Sequence, residues 1–162
     1  MLELVDFTTL SSREIWIVFK WRNDERVFKF MKTKSISLKN HLKFLKSLKT
    51  DMSKKYFLVK NGDTFLGVIY FIDILKTSCE FGVYKNPNLE LKGCGKILME
   101  AILEYAFSVL GIKNLYATTY IQNQVAIDLY RKFGFEVYKQ DSEFLYLALP
   151  YTSYTPKRLG IG

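Results

Sequence analysis

One stretch in the middle of the chain limits what the whole can become. Ser78 to Lys85 carries the apolar and aromatic residues of a strand, and Asn86-Pro87-Asn88 forces the chain out of it. Leu91-Lys92-Gly93-Cys94-Gly95-Lys96 then leads into a helix that runs from Gly95 to about Leu110. Ile97, Leu98, Ala101, Ile102, Tyr105, Ala106 and Val109 share one side of it, Gly111 ends it, and Asn114 to Tyr120 reads as a second strand. A strand, a helix and a strand in this order return the chain parallel to itself through a right-handed crossover. The fold class that follows is α/β. Gly82 inside the first strand predicts a bulge.

The flanking elements extend this unit into a mixed sheet. Leu2 to Phe7 alternates apolar and polar residues as a half-buried strand. Ser11 or Ser12 caps a helix that carries Ile15, Val18 and Phe19 and ends near Asn23; Ser37 caps another, with Leu38, Leu42, Leu45 and Leu48 on one stripe. Tyr56 to Lys60 and Phe65 to Ile74 form a hairpin about Asn61-Gly62. A short helix from Asn123 to Phe133, ended by Gly134, precedes the strands Phe135 to Tyr138 and Phe144 to Leu149. The expectation is one domain over residues 1–149, with about seven strands and four helices, and a loose, turn-rich tail over 150–162.

Composition removes several classes of chemistry. His41 is the sole histidine, so a multi-histidine metal site is out and no metal is expected. Cys79 and Cys94 have no metal-type spacing and read as free thiols. No apolar run is long enough for a membrane helix and Met1-Leu2-Glu3-Leu4 lacks a signal-peptide layout, so a cytoplasmic protein without a membrane partner is expected. The net charge of +8, from 24 basic and 16 acidic residues, favours polyanionic partners. Charge alone does not choose among nucleic acid, membrane surfaces and phosphorylated small molecules, but the basic residues are spread along the chain instead of forming one arm, which speaks against nucleic acid.

The loop from Leu91 to Lys96 fits such an anion. Glycines at 93 and 95 let backbone N–H groups converge, and the positive end of the helix dipole adds to the potential there. The Walker spacing and the full dinucleotide fingerprint are both missing. Downstream, Asn123, Ala126, Leu129, Tyr130, Lys132, Phe133, Gly134 and Phe135 spell NxxAxxLYxKFGF. This loop and this helix, in this order and separated by one helix and one strand, resemble the GNAT acetyltransferases over about residues 55–149. One position departs: Glu90 stands where the family usually has Arg or Gln, so a side-chain contribution to pyrophosphate binding is in question while the backbone cradle is not. Phe19-Lys20-Trp21-Arg22-Asn23, Phe30-Met31-Lys32, the His41 helix, Lys55 to Val59 and Cys79 to Gly82 further resemble the PseH family. These are the UDP-4-amino-4,6-dideoxy-N-acetyl-β-L-altrosamine N-acetyltransferases of pseudaminic acid synthesis.

The resemblance implies a GNAT fold in which the Gly82 to Lys85 strand splays from the Asn114 to Tyr120 strand to admit acetyl-CoA. Gly82, Val83, Tyr84 and Lys85 would line the pantetheine, with an N–H near Val83 facing the thioester oxygen. Leu91, Lys92, Gly93, Cys94, Gly95 and Lys96 would hold the pyrophosphate, and Asn123, Ala126 and Tyr130 would lie along the coenzyme. The Tyr130 phenol would protonate the leaving thiolate. Glu80, Asp73 and an ordered water compete as general base. Arg22 and His41 would meet the nucleotide of a UDP-sugar acceptor. Two other readings stay open: a GNAT acting on a protein N-terminus or another small amine, and a basic anion- or nucleic-acid-binding module without catalysis. Oligomeric state is not fixed by the sequence.

Overall fold

The structure, a computed structural model, describes residues 1–155. Seven strands form one sheet: β1 (Leu2–Asp6), β2 (Lys55–Asn61), β3 (Thr64–Ile72), β4 (Ser78–Lys85), β5 (Asn114–Tyr120), β6 (Glu136–Gln140) and β7 (Phe144–Pro150), in the order β1-β2-β3-β4-β5-β7-β6. β4 and β5 run parallel and every other neighbouring pair is antiparallel. The parallel pair is the one joined by the long helix, as the strand, glycine loop and helix require.

Helices cover the two faces unequally. On one face α4 (Cys94–Glu104), the π-helical turn that continues it (Tyr105–Val109) and α5 (Gln124–Lys132) bury Leu98, Met99, Ile102, Ala106, Ile127 and Tyr130 against Phe71, Phe81, Leu115 and Leu147. On the other face α1 (Ser12–Arg22) and α3 (Leu38–Ser47) pack Val18, Trp21 and Leu45 onto Leu58 and Val68 of β2 and β3. That second cluster includes no residue of β5, β6 or β7. Successive strand residues point to opposite faces, so Tyr116, Thr118 and Tyr120 of β5 and Tyr146 of β7 stand on a half of the sheet that neither helix covers. No helix among the described residues is long and apolar enough to cross a membrane.

Several details differ from the sequence reading. A four-residue helix α2 (Glu25–Phe28), capped by Asp24, follows α1 and is too short to leave a periodic signal. The helix expected as regular from Gly95 to Leu110 relaxes to π geometry after Glu104, with the Leu110 N–H donating to the Tyr105 carbonyl. β3 stops at Ile72 because Asp73 takes a positive φ of 50°. Gly82 makes no bulge, since β3 and β4 stay in register from Gly67–Lys85 to Ile72–Glu80. The glycine is needed instead because the Tyr70 ring lies across it and leaves no room for a Cβ. The start of the expected tail is built in: Pro150 pairs with Asn114, and Tyr154 stacks on Phe107 at 4.8 Å. Residues 156–162, the rest of that tail, lie outside the described residues.

Candidate active site

The parallel ladder is short. Only Ser78, Cys79 and Glu80 of β4 pair with β5, against Asn114, Leu115 and Tyr116. Beyond Glu80, β4 stays on β3 through Lys85 while β5 stays on β7 through Tyr120. The strands therefore part, and a wedge opens with Glu80 at its apex. Gly82, Val83, Tyr84 and Lys85 form one wall of it, with backbone groups that have no β5 partner.

The glycine loop follows that wall. Gly93 is the N-cap of α4 with φ 82°, a left-handed conformation that an L side chain resists, and nothing lies within 4 Å of where its Cβ would stand. Ser11, Asp24, Ser37 and Asn123 cap α1, α2, α3 and α5 with side-chain oxygens, whereas no side chain among the described residues caps α4. The first-turn amides of α4 are thus left to an external acceptor, and the dipole favours an anion. Lys92 and Lys96 are exposed at this end. Cys94 points inward, its thiol donating to the Leu66 carbonyl at 3.5 Å, so it offers the loop only its backbone. Burial pushes both the Cys94 and the Cys79 thiol up, the latter to about 12.

Helix α5 closes the wedge from the helical face. Asn123 Oδ1 accepts from the Ala126 N–H at 3.3 Å, which fixes the start of the helix. Tyr130 follows two turns on, 7% exposed, with its ring edge-on to Phe81 at 5.2 Å and tilted against Phe135 at 5.9 Å. Its phenol makes no hydrogen bond among the described residues, and burial holds it neutral well above the ordinary tyrosine range.

Across the sheet, Glu80 Oε1 accepts from the Thr118 hydroxyl at 2.8 Å, which binds the two strands at the apex of the wedge. Asp73 is exposed in the β3–β4 hairpin, at the closed end, where Ile72 pairs with Glu80. Arg22 donates from both terminal nitrogens, to the carbonyls of Lys34 at 2.6 Å and Thr33 at 2.7 Å. His41 is 3% exposed, its Nε2 3.3 Å from the Ile15 carbonyl and its ring 5.3 Å from Phe19. Burial lowers its pKa, against a smaller opposing effect of the Ile15 carbonyl. The structure thus does not bring Arg22 and His41 together at an open surface: the first is clamped to a loop and the second packs between α1 and α3.

The sequence reading missed the loop that Arg22 holds. Asn23 also grips it, accepting from the Ile36 N–H at 2.7 Å and donating to the Ile36 carbonyl at 3.0 Å. The loop lies over the uncovered half-sheet. There Lys34 Nζ sits 5.4 Å from the Tyr120 ring and Lys32 Nζ 4.8 Å from the Phe144 ring. A cavity of about 360 Å³ opens beneath, lined by Lys29, Phe30, Lys34, Tyr120, Gln122 and Glu143. No spacing in the sequence announces it, because its residues come from a loop after α2, from the end of β5 and from the turns that follow β5 and precede β7.

Comparison with known proteins agrees with this geometry. Residues 15–135 match the acetyltransferase (GNAT) family. The chain is 46% identical to the Acetyltransferase PseH of Campylobacter jejuni subsp. jejuni serotype O:23/36 (strain 81-176), over 92% of this chain and 94% of that protein. It superimposes on the crystal structure of Campylobacter jejuni N-acetyltransferase PseH in complex with acetyl coenzyme A with a TM-score of 0.81 and 43% identity, covering 93% of this chain and 99% of the other. A spermidine N-acetyltransferase from Vibrio cholerae shares the fold at a TM-score of 0.83 and 18% identity, over 94% of this chain and 96% of that one. With its splayed parallel strands, uncapped glycine-loop helix and tyrosine-bearing α5, the chain belongs to the acetyltransferase (GNAT) family and is an acetyl-CoA-dependent N-acetyltransferase.

Proposed function

We propose that the acceptor is the 4-amino group of a UDP-linked 4-amino-4,6-dideoxy sugar, acetylated by direct attack in a ternary complex during pseudaminic acid synthesis in the cytoplasm. The observation that carries this reading is the 46% identity to a PseH protein across nearly the whole of both chains, which reaches well outside the coenzyme motifs. Charge supports it. A net charge of +8, with lysines over the open half of the sheet, suits an anionic acceptor and repels a polyamine.

Acetyl-CoA supplies an activated thioester. The amides of Leu91 to Lys96 and the α4 dipole hold its pyrophosphate, while the backbone from Gly82 to Lys85 and the Asn123 and Ala126 end of α5 flank its pantetheine. An N–H near Val83 stabilises the negative charge that develops on the carbonyl oxygen. Glu80 is the general base. Thr118 occupies one of its carboxylate oxygens and leaves the other for the amine proton, whereas Asp73 is exposed in the β3–β4 hairpin, on the closed side of the apex. The Tyr130 phenol, buried and unpartnered, keeps its proton at neutral pH and donates it to the departing sulfur. Arg22 and His41 serve the acceptor side, the one through the loop it clamps and the other through the α1–α3 packing that carries Arg22.

An acetylation screen over UDP-aminosugars, polyamines and peptides, reading released thiol, tests the proposal. Turnover on the UDP-aminosugar well above that on the others is expected. Preference for a peptide N-terminus or a polyamine would refute it.

A further inference from the structure

We propose that the outer face of the α1–α3 pair is a docking surface for an anionic phospholipid bilayer, on which Trp16, Leu38 and Leu42 enter the headgroup layer while Lys39, Lys43, Lys46 and Lys49 lie over lipid phosphates. The proposal goes beyond acetyl transfer and holds whichever amine is acetylated.

Basic residues occur along the whole chain, but their surplus does not. Between Glu25 and Asp51, residues 26–50 carry eight basic and no acidic residues, whereas the rest of the chain holds 16 of each and is neutral overall. The whole net charge of +8 therefore sits in the segment from α2 through α3. The lysines of its loop are engaged: Lys34 donates to the Lys29 and Met31 carbonyls, and Lys32 lies over the Phe144 ring. Those of α3 are not. Lys39, Lys43 and Lys46 on the helix and Lys49 just beyond it are exposed, and none has an ion pair, a side-chain hydrogen bond or a ring contact among the described residues.

Large apolar groups are exposed beside this charge. Trp16 is 50% exposed, Leu42 47% and Leu38 42%. At about 100° per residue, α3 turns in order from the buried His41 and Leu45, through Leu38 and Leu42, to Lys39, Lys43 and Lys46. The Trp16 ring lies 5.4 Å from Phe19, whose ring lies 5.3 Å from His41, so α1 brings its tryptophan to the same seam. Leucine and tryptophan bordered by lysine is the order that an interfacial helix presents to a bilayer, with apolar groups at the headgroup boundary and ammonium groups among the phosphates. A surface contact needs no spanning helix, so it is compatible with the lack of one among the described residues and differs from the sequence expectation of no membrane partner.

Charge decides the occupant. A second copy docked symmetrically here would set one positive face against another. Protein interfaces are enriched in arginine, methionine and tyrosine and depleted in lysine, whereas lysine is the only base on α3. A negatively charged leaflet attracts lysine clusters of this size.

Co-sedimentation with vesicles of phosphatidylglycerol and phosphatidylcholine, against vesicles of phosphatidylcholine alone, tests the assignment. The wild type should bind the mixed vesicles alone and leave them at high salt. A basic residue near an anionic surface is worth about fivefold in partitioning, so Lys39→Gln/Lys43→Gln/Lys46→Gln should weaken binding by about 100-fold. Lys76→Gln/Lys113→Gln/Lys139→Gln removes the same charge from exposed positions elsewhere and should weaken it by less than about tenfold. Coenzyme A affinity within about twofold of wild type in both variants verifies the fold. Trp21 is only 5% exposed, so a blue shift of tryptophan emission on adding vesicles reports Trp16, and Trp16→Phe should abolish it. Equal weakening by the two triple variants, or binding without the emission shift, would overturn this docking face. So would a wild type that ignores the mixed vesicles, including one that instead binds an acidic protein or duplex DNA through the same lysines.

Discussion

Replacing Gly82 by alanine puts a methyl group where the Tyr70 ring already lies. A Cβ built on Gly82 overlaps Tyr70 Cζ, Oη and Cε2, so the ring must swing away. It has little freedom to do so. Tyr70 is stacked on Tyr56 at 4.6 Å and 5° between planes, and Tyr56 is in turn held edge-on by Phe44 at 4.9 Å. Forcing extra volume into a packed site costs about 1 to 3 kcal/mol, and loss of one aromatic pair adds about 0.5 to 1.5, so Gly82→Ala should destabilise the fold by about 2 to 4 kcal/mol. Urea denaturation should show a lower midpoint with an unchanged slope. The cause is checked by a double-mutant cycle. Leucine at position 70 does not reach the ring atoms that clash, so Gly82→Ala in a Tyr70→Leu background should cost less than about 1 kcal/mol. The same loss in both backgrounds would refute the steric argument and return Gly82 to a purely conformational role.

Other outcomes follow from the wedge and the loop. Valine at Gly93 should abolish coenzyme binding measured by calorimetry, because a β-branched residue strains a φ of 82° and covers the cradle. Gly95→Val should do the same with less effect on stability, since its Cβ would meet only the end of the Leu129 side chain, at 3.2 Å. Tyr130→Phe should keep acetyl-CoA affinity and lower kcat by about 100 to 10,000-fold; turnover within about threefold of wild type across the pH range would remove the acid role. Burial pushes Tyr70 up to about 12 and moves Tyr56, Tyr84 and Tyr130 still higher, so the folded chain keeps protons that the unfolded chain releases near pH 10. Stability should be complete below that value and fall as the pH climbs above it, with late phenolate absorbance appearing together with the loss of circular dichroism. All 11 tyrosines titrating near the ordinary value with the fold intact would contradict this.

The family, the central strand-helix-strand unit and the glycine loop ahead of α4 were legible in the sequence because each rests on residues within a few turns of one another. Ser11, Ser37 and Asn123 start their helices as local capping chemistry requires, and Gly93 and Gly134 take the positive φ values that only glycine accepts readily. Glu80, Thr118, Arg22 and the lysine loop were different. Glu80 is one of three candidate bases in the sequence, and only the sheet shows that the β4–β5 ladder ends at it; Gly82 suggests a bulge, whereas a ring from the neighbouring strand lies across it. A glycine in a strand is compatible with both, and the residue that decides is on another strand. His41, expected to meet the acceptor, is buried between two helices whose crossing no local pattern specifies. The chain alone thus determined most of its elements and the glycine turn that opens α4, whose signals are short-range. Tertiary packing decided which polar groups meet, because a wedge between strands and a cation over a ring depend on the separation of segments distant in the chain.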